Sequence, residues 1–173
     1  NTAAISSYMI KKTGAKYTLI GHSDNRLEGD TDTILKNKVK LALENNLKVV
    51  FCIGENKQQK KKNQTFSVLK KQLKKVLEKK LNKNNIIIAY EPIWSIGTGK
   101  IPNHKDLSKT VYFIKNILKS IFKNKSPEVL YGGSVDANNV KMFKQIKEID
   151  GFLIGGASKS SKKFIDIIKN YYR

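Results

Sequence analysis

Ile86-Ile87-Ile88-Ala89-Tyr90 is an unbroken apolar run, and it ends on a carboxylate, Glu91. A strand with no polar position suits a sheet covered on both faces, as a parallel sheet flanked by helices is. Four more runs repeat the pattern: Tyr17-Thr18-Leu19-Ile20, Lys48-Val49-Val50-Phe51-Cys52-Ile53, Val129-Leu130-Tyr131 and Phe152-Leu153-Ile154.

Amphipathic helical patterns separate these runs. Thr33 to Asn45 carries Leu35, Val39, Ala42 and Leu43 on one face. Thr65 to Leu81 carries Phe66, Leu69, Leu73, Val76 and Leu77, with lysines opposite. Lys105 to Phe122 carries Leu107, Val111, Ile114, Leu118 and Ile121. A short helix is expected after Asp136, read as its N-cap, with Val140 and Phe143 inward. The last runs from Ser161 to Tyr171 with Phe164, Ile165 and Ile168. Residues 5–12 suit a further short helix, and Lys57–Lys62 reads as a surface loop or as the solvated start of the next helix.

Strand and helix alternate throughout, which requires right-handed crossovers and a parallel sheet. The fold class is α/β. Eight such units close a (β/α)8 barrel of about 250 residues, so this chain reads as a partial barrel of about five βα units. The alternative is a five-stranded doubly wound sheet, against which counts the lack of a G-x-G-x-x-G fingerprint after the first strand. No linker or composition break divides the chain, and residues 1–173 are expected to form a single domain.

The formal net charge is +20, yet among 34 basic residues only Arg26 and Arg173 are arginine. Arginine is the residue that forks onto phosphates and guanine edges. The lysines are spread along helices, so they read as a solvated surface and no specific nucleic-acid partner is expected. A noncatalytic lysine-rich barrel binding polyanions is the competing reading. No run approaches the roughly 20 apolar residues of a membrane span, and the first residues lack a basic signal region, so no membrane partner is expected. The single cysteine, Cys52, excludes an internal disulfide and fits a reducing compartment. Residue 1 is Asn, which suggests a processed product or a fragment.

The chemical side chains follow strand ends, where parallel α/β folds build their sites. Glu91 opens Glu91-Pro92-Ile93-Trp94-Ser95-Ile96-Gly97-Thr98-Gly99-Lys100, stiff at Pro92 and free at Gly97 and Gly99. Such a segment can close over a ligand and exclude water, or can be a plain surface loop with a carboxylate at its root. His22 leaves the first strand in Gly21-His22-Ser23-Asp24, and is either structural or a neutral hydrogen-bond donor. Gly132-Gly133-Ser134 and Gly155-Gly156-Ala157-Ser158 end consecutive strands. Glycine lets backbone amides approach an anion, and two such pairs on adjacent strands favour a phosphate site. Cys52 reads as an inert core thiol, Trp94 as loop packing and His104 as lying near a helix start. No Cys/His spacing implies a metal.

The segment Ala89–Lys100 closely resembles the lid of the triosephosphate isomerase family. Ile20-Gly21-His22-Ser23, Cys52-Ile53-Gly54-Glu55, Tyr131-Gly132-Gly133-Ser134-Val135 and Gly155-Gly156-Ala157-Ser158 resemble its other motifs, in order and spacing. The resemblance covers essentially the whole chain. It implies a (β/α)8 TIM barrel that interconverts dihydroxyacetone phosphate and glyceraldehyde 3-phosphate in glycolysis and gluconeogenesis, without cofactor. It implies Glu91 as the base and His22 as the electrophile, with Ser23 and Asp24 supporting. It implies that Gly97, Ser134, Gly155 and Gly156 hold the phosphate. It also implies a phosphorylated triose substrate, a cytoplasmic location and a homodimer in the full-length form.

The chain departs from the family pattern in places. Asn1-Thr2 corresponds to the end of the third βα unit, so the chain is expected to be the last five units, inactive alone. Asp24 stands where a Glu is usual, and Lys159 where a Leu is usual beside the phosphate loop. Ala4 and Asn25 replace a Glu–Arg pair, and Ala3 replaces a Gly.

Overall fold

The computed structural model describes residues 5–173. Ala3 and Ala4 lie outside the described residues. The sheet is formed by β1 (Tyr17–Ile20), β2 (Lys48–Ile53), β3 (Ile86–Tyr90), β4 (Glu128–Tyr131) and β5 (Gly151–Phe152), parallel and in sequence order. The helices are α1 (Ser7–Lys12), α2 (Ser23–Leu27), α3 (Asp32–Glu44), α4 (Lys57–Lys61), α5 (Thr65–Val76), α6 (His104–Ile121) and α7 (Ser161–Tyr172). Sequential neighbours with no reversal of order are the topology of a barrel wall, and the doubly wound alternative falls. Among the described residues β1 and β5 each pair on one side only. No described helix is long and apolar enough to cross a membrane.

Alternation along the strands sorts two apolar layers. Phe51, Ile53, Ile86, Ile88, Val129 and Tyr131 pack with the inward stripes of α3, α5 and α6. Val50, Cys52 and Ala89 form a second cluster with Ile87 and Leu153 against it. Side chains two apart share a face. Ile87, Ala89 and Glu91 therefore follow one another on the concave side, and the pairing of Cys52 with Ala89 sets the thiol beside that line.

Several elements differ from expectation. The fifth strand is Gly151–Phe152 and not Phe152–Ile154, although the Leu153 amide still donates to the Tyr131 carbonyl at 2.9 Å. Among the described residues no strand lies on its far side, and the ladder stops there. α5 ends at Val76, five residues early, because the chain turns extended at Leu77, which keeps its side chain buried, while Lys36 and Lys80 hold Glu78. The helix after Asp136 is a 3-10 helix, Val140–Gln145. The Asp136 carboxylate instead accepts the amides of Asn138 and Asn139 in the preceding turn, though Val140 and Phe143 are buried as expected. On α7 the buried residue is Ile167, while Phe164, Ile165 and Ile168 are exposed. That helix packs on the 3-10 segments Val140–Gln145 and Gly156–Lys159, and nothing among the described residues covers its other side. The lysine run at 57–62 is a helix of its own, α4, started by a capping box between Asn56 and Gln59.

Candidate active site

Glu91 emerges from β3 with its amide donating to the Ile53 carbonyl at 2.8 Å, so its backbone continues the sheet by one residue. Only 5% of the residue is exposed. Its Oε2 is buried and has no hydrogen-bond partner. A buried carboxylate is normally satisfied, so an orphan oxygen marks a place where a reacting group is expected. Burial pushes the Glu91 carboxyl above its ordinary pKa, against the opposing pull of His22 and the Cys52 thiol. Burial and Glu91 together hold the Cys52 thiol protonated. Cys52 is a core residue as expected, but it also lies against the carboxylate.

His22 caps α2, and its Nδ1 accepts the Asp24 amide at 3.3 Å. That bond assigns the ring proton to Nε2, the tautomer of a neutral imidazole with a free donor. Nε2 lies 3.7 Å from Glu91 Oε1. Neither group is tied to the other by a hydrogen bond, and both line one cleft of ≈ 590 Å³.

Gly97, Ser134, Gly155 and Gly156 line the same cleft, so six of the expected site residues converge. Ser23 and Asp24 do not line it. Ser23 is buried behind Glu91 with Gly21 and Arg26, while Asp24 is exposed, with a carboxylate oxygen 3.5 Å from His22 Nδ1. Lys159 ends the 3-10 turn after Gly155 and is exposed. Lys163 of α7 adds an ammonium group to the lining.

The lid is folded down onto the end of β4. The Ser134 hydroxyl donates to the Ser95 carbonyl at 2.6 Å and accepts the Gly99 amide at 3.1 Å. Gly97 and Gly99 have φ of +66° and +71°, the left-handed region that glycine enters without a Cβ penalty.

Further residues shape the site through partners that the strand-end reading does not name. Glu55 is fully buried and accepts Trp94 Nε1 at 2.8 Å and the Tyr90 hydroxyl at 3.2 Å. Trp94 is thus a hydrogen-bonded part of the lid, with Lys60 Nζ 4.5 Å above its ring. Arg26 donates to the carbonyls of Gly21 (2.8 Å) and Cys52 (3.1 Å), and so joins the ends of β1 and β2. Ser95 and Tyr131 meet under the lid at 3.0 Å. The signals in the sequence are a carboxylate just after a strand end and one of only two arginines in a lysine-rich chain. The partners come from other loops, which spacing does not reveal.

The Gly132–Gly133 pair also has a purpose that spacing hides. A Cβ on Gly132 would come within 2.7 Å of the Glu91 side chain, and one on Gly133 would collide with the Tyr131 hydroxyl. These glycines make room for the carboxylate and the lid. Gly155 and Gly156 have open space where a side chain would be.

A parallel barrel wall that gathers a perturbed carboxylate, a neutral imidazole and glycine-rich loops under a lid defines an enzyme of the acid–base class. A family model described as triosephosphate isomerase matches residues 1–171. The triosephosphate isomerase of Ruthia magnifica is 42% identical over 173 aligned residues, covering 97% of this chain and 70% of that protein. The one from Thermodesulfovibrio yellowstonii is 38% identical over 171 residues, with 97% and 70% coverage. A crystal structure of triosephosphate isomerase from Bartonella henselae superimposes with a TM-score of 0.90 at 33% identity, covering all of this chain and 71% of that one. The chain belongs to the triosephosphate isomerase family, whose substrate is a phosphorylated triose, and its fold is an arc of the (β/α)8 barrel.

Proposed function

We propose that this cleft is where the isomerase reaction takes place, with Glu91 as the base and His22 as the electrophile. The observation that supports it most is the unpartnered Glu91 Oε2, buried beside the imidazole of His22. With dihydroxyacetone phosphate in the cleft, Glu91 takes the proton from carbon 1. His22 Nε2–H donates to the carbonyl oxygen on carbon 2 as negative charge develops there. His22 passes the hydroxyl proton from the oxygen on carbon 1 to the oxygen on carbon 2, and return of the first proton to carbon 2 then gives glyceraldehyde 3-phosphate. A raised carboxyl pKa brings the base closer to the proton affinity the step needs, and a neutral donor avoids placing a second ionised group in a buried site.

The phosphate is held by backbone amides of Gly97, Gly155 and Gly156 and by the Ser134 segment, with Ser23 and Asp24 supporting the histidine. Residues 1–173 act as one domain contributing five βα units to the barrel wall. The complete gene product is a cytoplasmic homodimer, a reading that rests on membership of the family.

The test is Glu91→Asp in the complete gene product. Withdrawing the carboxylate by one methylene misplaces it by about 1 Å, enough to lower kcat roughly a hundredfold. A variant that folds and turns over like the parent refutes the assignment. Light scattering on the same preparation gives the oligomeric state.

A further inference from the structure

Residues 57–80 carry ten lysines and a single carboxylate, Glu78. Along the chain these lysines are spread over α4, α5 and the turn after it, and the fold gathers part of them on one surface. Leu69, Leu73 and Val76 are the buried stripe of α5. At about 100° per residue, Lys70, Lys71, Lys74 and Lys75 fall within roughly 140° of arc on the opposite side. All four are exposed. At the end of the helix Lys74 joins Lys79 and Lys80 around a surface hollow of ≈ 610 Å³, which Ser120 and Ile121 of α6 line from the other side.

This charge has no internal partner. Glu78 is held by Lys36 at 2.6 Å and Lys80 at 3.2 Å. The other lysine ion pairs take Lys38, Lys40 and Lys115. Among the described residues none reaches the four lysines of α5 or Lys79. Lys70 and Lys71 each meet a like charge four residues on, an arrangement that destabilises a helix. The face is also open. α5 connects β2 to β3 and packs between α3 and α6, whereas a strand added to this sheet joins at β1 or β5.

The chemistry of the face selects the partner. A lysine ammonium is a compact point charge that pairs with phosphate, while base edges are read mainly by arginine and the amides. A helix that lies on a bilayer inserts its apolar face, and on α5 that face is in the core. What remains is a row of cations without an apolar anchor, which suits a partner of high linear charge density. A nucleic-acid duplex carries one negative charge per about 1.7 Å, and lysines that neutralise it release its condensed counterions.

We propose that the outward face of α5, with the hollow at its end, binds the phosphodiester backbone of a nucleic-acid duplex without sequence preference. The surface is separate from the cleft of Glu91 and His22, and the proposal does not rest on the isomerase reading.

The experiment uses the complete gene product and a short fluorescein-labelled DNA duplex in two unrelated sequences, titrated at several salt concentrations. Two variants of equal net charge are compared. One is Lys70→Gln, Lys71→Gln, Lys74→Gln and Lys75→Gln together. The other is Lys119→Gln, Lys125→Gln, Lys141→Gln and Lys147→Gln, four exposed lysines elsewhere. Loss of the α5 lysines is expected to make the slope of log K against log salt shallower by about three to four, and to weaken binding about tenfold or more at low salt. The second variant is expected to stay within about threefold of the parent, because its charges lie beyond the screening length from the face. The two sequences are expected to bind alike. Equal losses in both variants, a parent that binds neither duplex, or a strong preference for one sequence overturns the proposal. So does binding of phosphatidylserine vesicles governed by the same four lysines while duplex affinity is unchanged. If the α5 variant does not accumulate folded, Lys70→Gln with Lys71→Gln decides, its slope shallower by about two for the proposal and unchanged against it. Isomerase turnover is expected to be the same in all variants. A parent without turnover overturns the functional reading alone, since duplex binding is read independently of it.

Discussion

The carbonyl of Glu91 occupies the space into which a side chain on Gly54 would project. Gly54 is itself pinned, because Gln72 accepts its amide at 3.0 Å and donates to its carbonyl at 3.1 Å. The end of β2 therefore fixes where the root of the lid lies, and only the absence of a Cβ permits it. Gly54→Ala is expected to cost about 3 kcal/mol, the upper range for forcing atoms into a packed site. Gly14→Ala meets nothing and carries only the strain of a φ of +88°, on the order of 1 kcal/mol. Urea midpoints of the two variants measure the difference. Equal midpoints would show that β2 does not constrain Glu91.

Stability and activity should respond to pH in opposite directions through Glu91. Burial raises its carboxyl pKa in the folded chain. Between the ordinary value of about 4.3 and the raised one, the folded state binds more protons than the unfolded state. The term that Glu91 contributes to stability is thus present at low pH and lost as pH rises through the raised value. Glu91→Gln removes that term, so it should be more stable than the parent above this window, with the advantage shrinking below it. As the proposed base, Glu91 must be ionised to work, so kcat/KM of the parent should climb with pH through the same raised value. Melting temperatures and initial rates across pH check both limbs.

His22 has two tasks that can be separated. Nδ1 caps α2 and Nε2 faces the cleft. Asparagine is a good N-cap but has no donor at the reach of Nε2. His22→Asn is therefore expected to keep stability within about 1 kcal/mol. Its kcat should fall roughly a hundredfold, the lower range for loss of a proton-transfer group. Parallel loss of stability and rate would indicate a structural histidine.

The strands were legible because both of their faces are covered. Ile86–Tyr90 needs no alternation to be recognised, and His22 and Glu91 follow from the rule that sites collect at strand ends. On α7 the stripe of Phe164, Ile165 and Ile168 finds no neighbour among the described residues, and Ile167 is the residue that packs inward. β5 shortened for the same reason. Gly132 and Gly133 read as phosphate glycines, yet their missing side chains are required by Glu91 and by the Ser95–Tyr131 pair. Glu55, Arg26 and Ser95 acquire their meaning from partners in other loops, which only the fold brings within 3 Å or so.

Trp94 is the single tryptophan of these 173 residues and lies in the lid, so its emission reports on the lid. Its indole N–H donates to Glu55, a carboxylate that Tyr90 also contacts. Glu55→Leu leaves two donors without an acceptor, at about 1–3 kcal/mol for each buried group. The variant should show an altered Trp94 emission and a kcat lowered about tenfold or more. Unaltered emission would mean that this bond does not set the lid's position.

A polypeptide of these 173 residues expressed alone is expected to be inactive and to associate. Its described sheet leaves β1 and β5 with one unpaired edge each, and an unpaired edge is a template for another strand. Apolar side chains stay exposed nearby, Tyr17 and Leu19 on β1 and Phe164, Ile165 and Ile168 on α7. The proposed acid–base pair is present in it, since Glu91 and His22 both lie at described strand ends. What the isolated piece lacks is a wall on both sides of the cleft to exclude water and raise the strength of its electrostatics. Size-exclusion chromatography with an isomerase assay decides the point, and a monodisperse, active preparation would show that five βα units suffice.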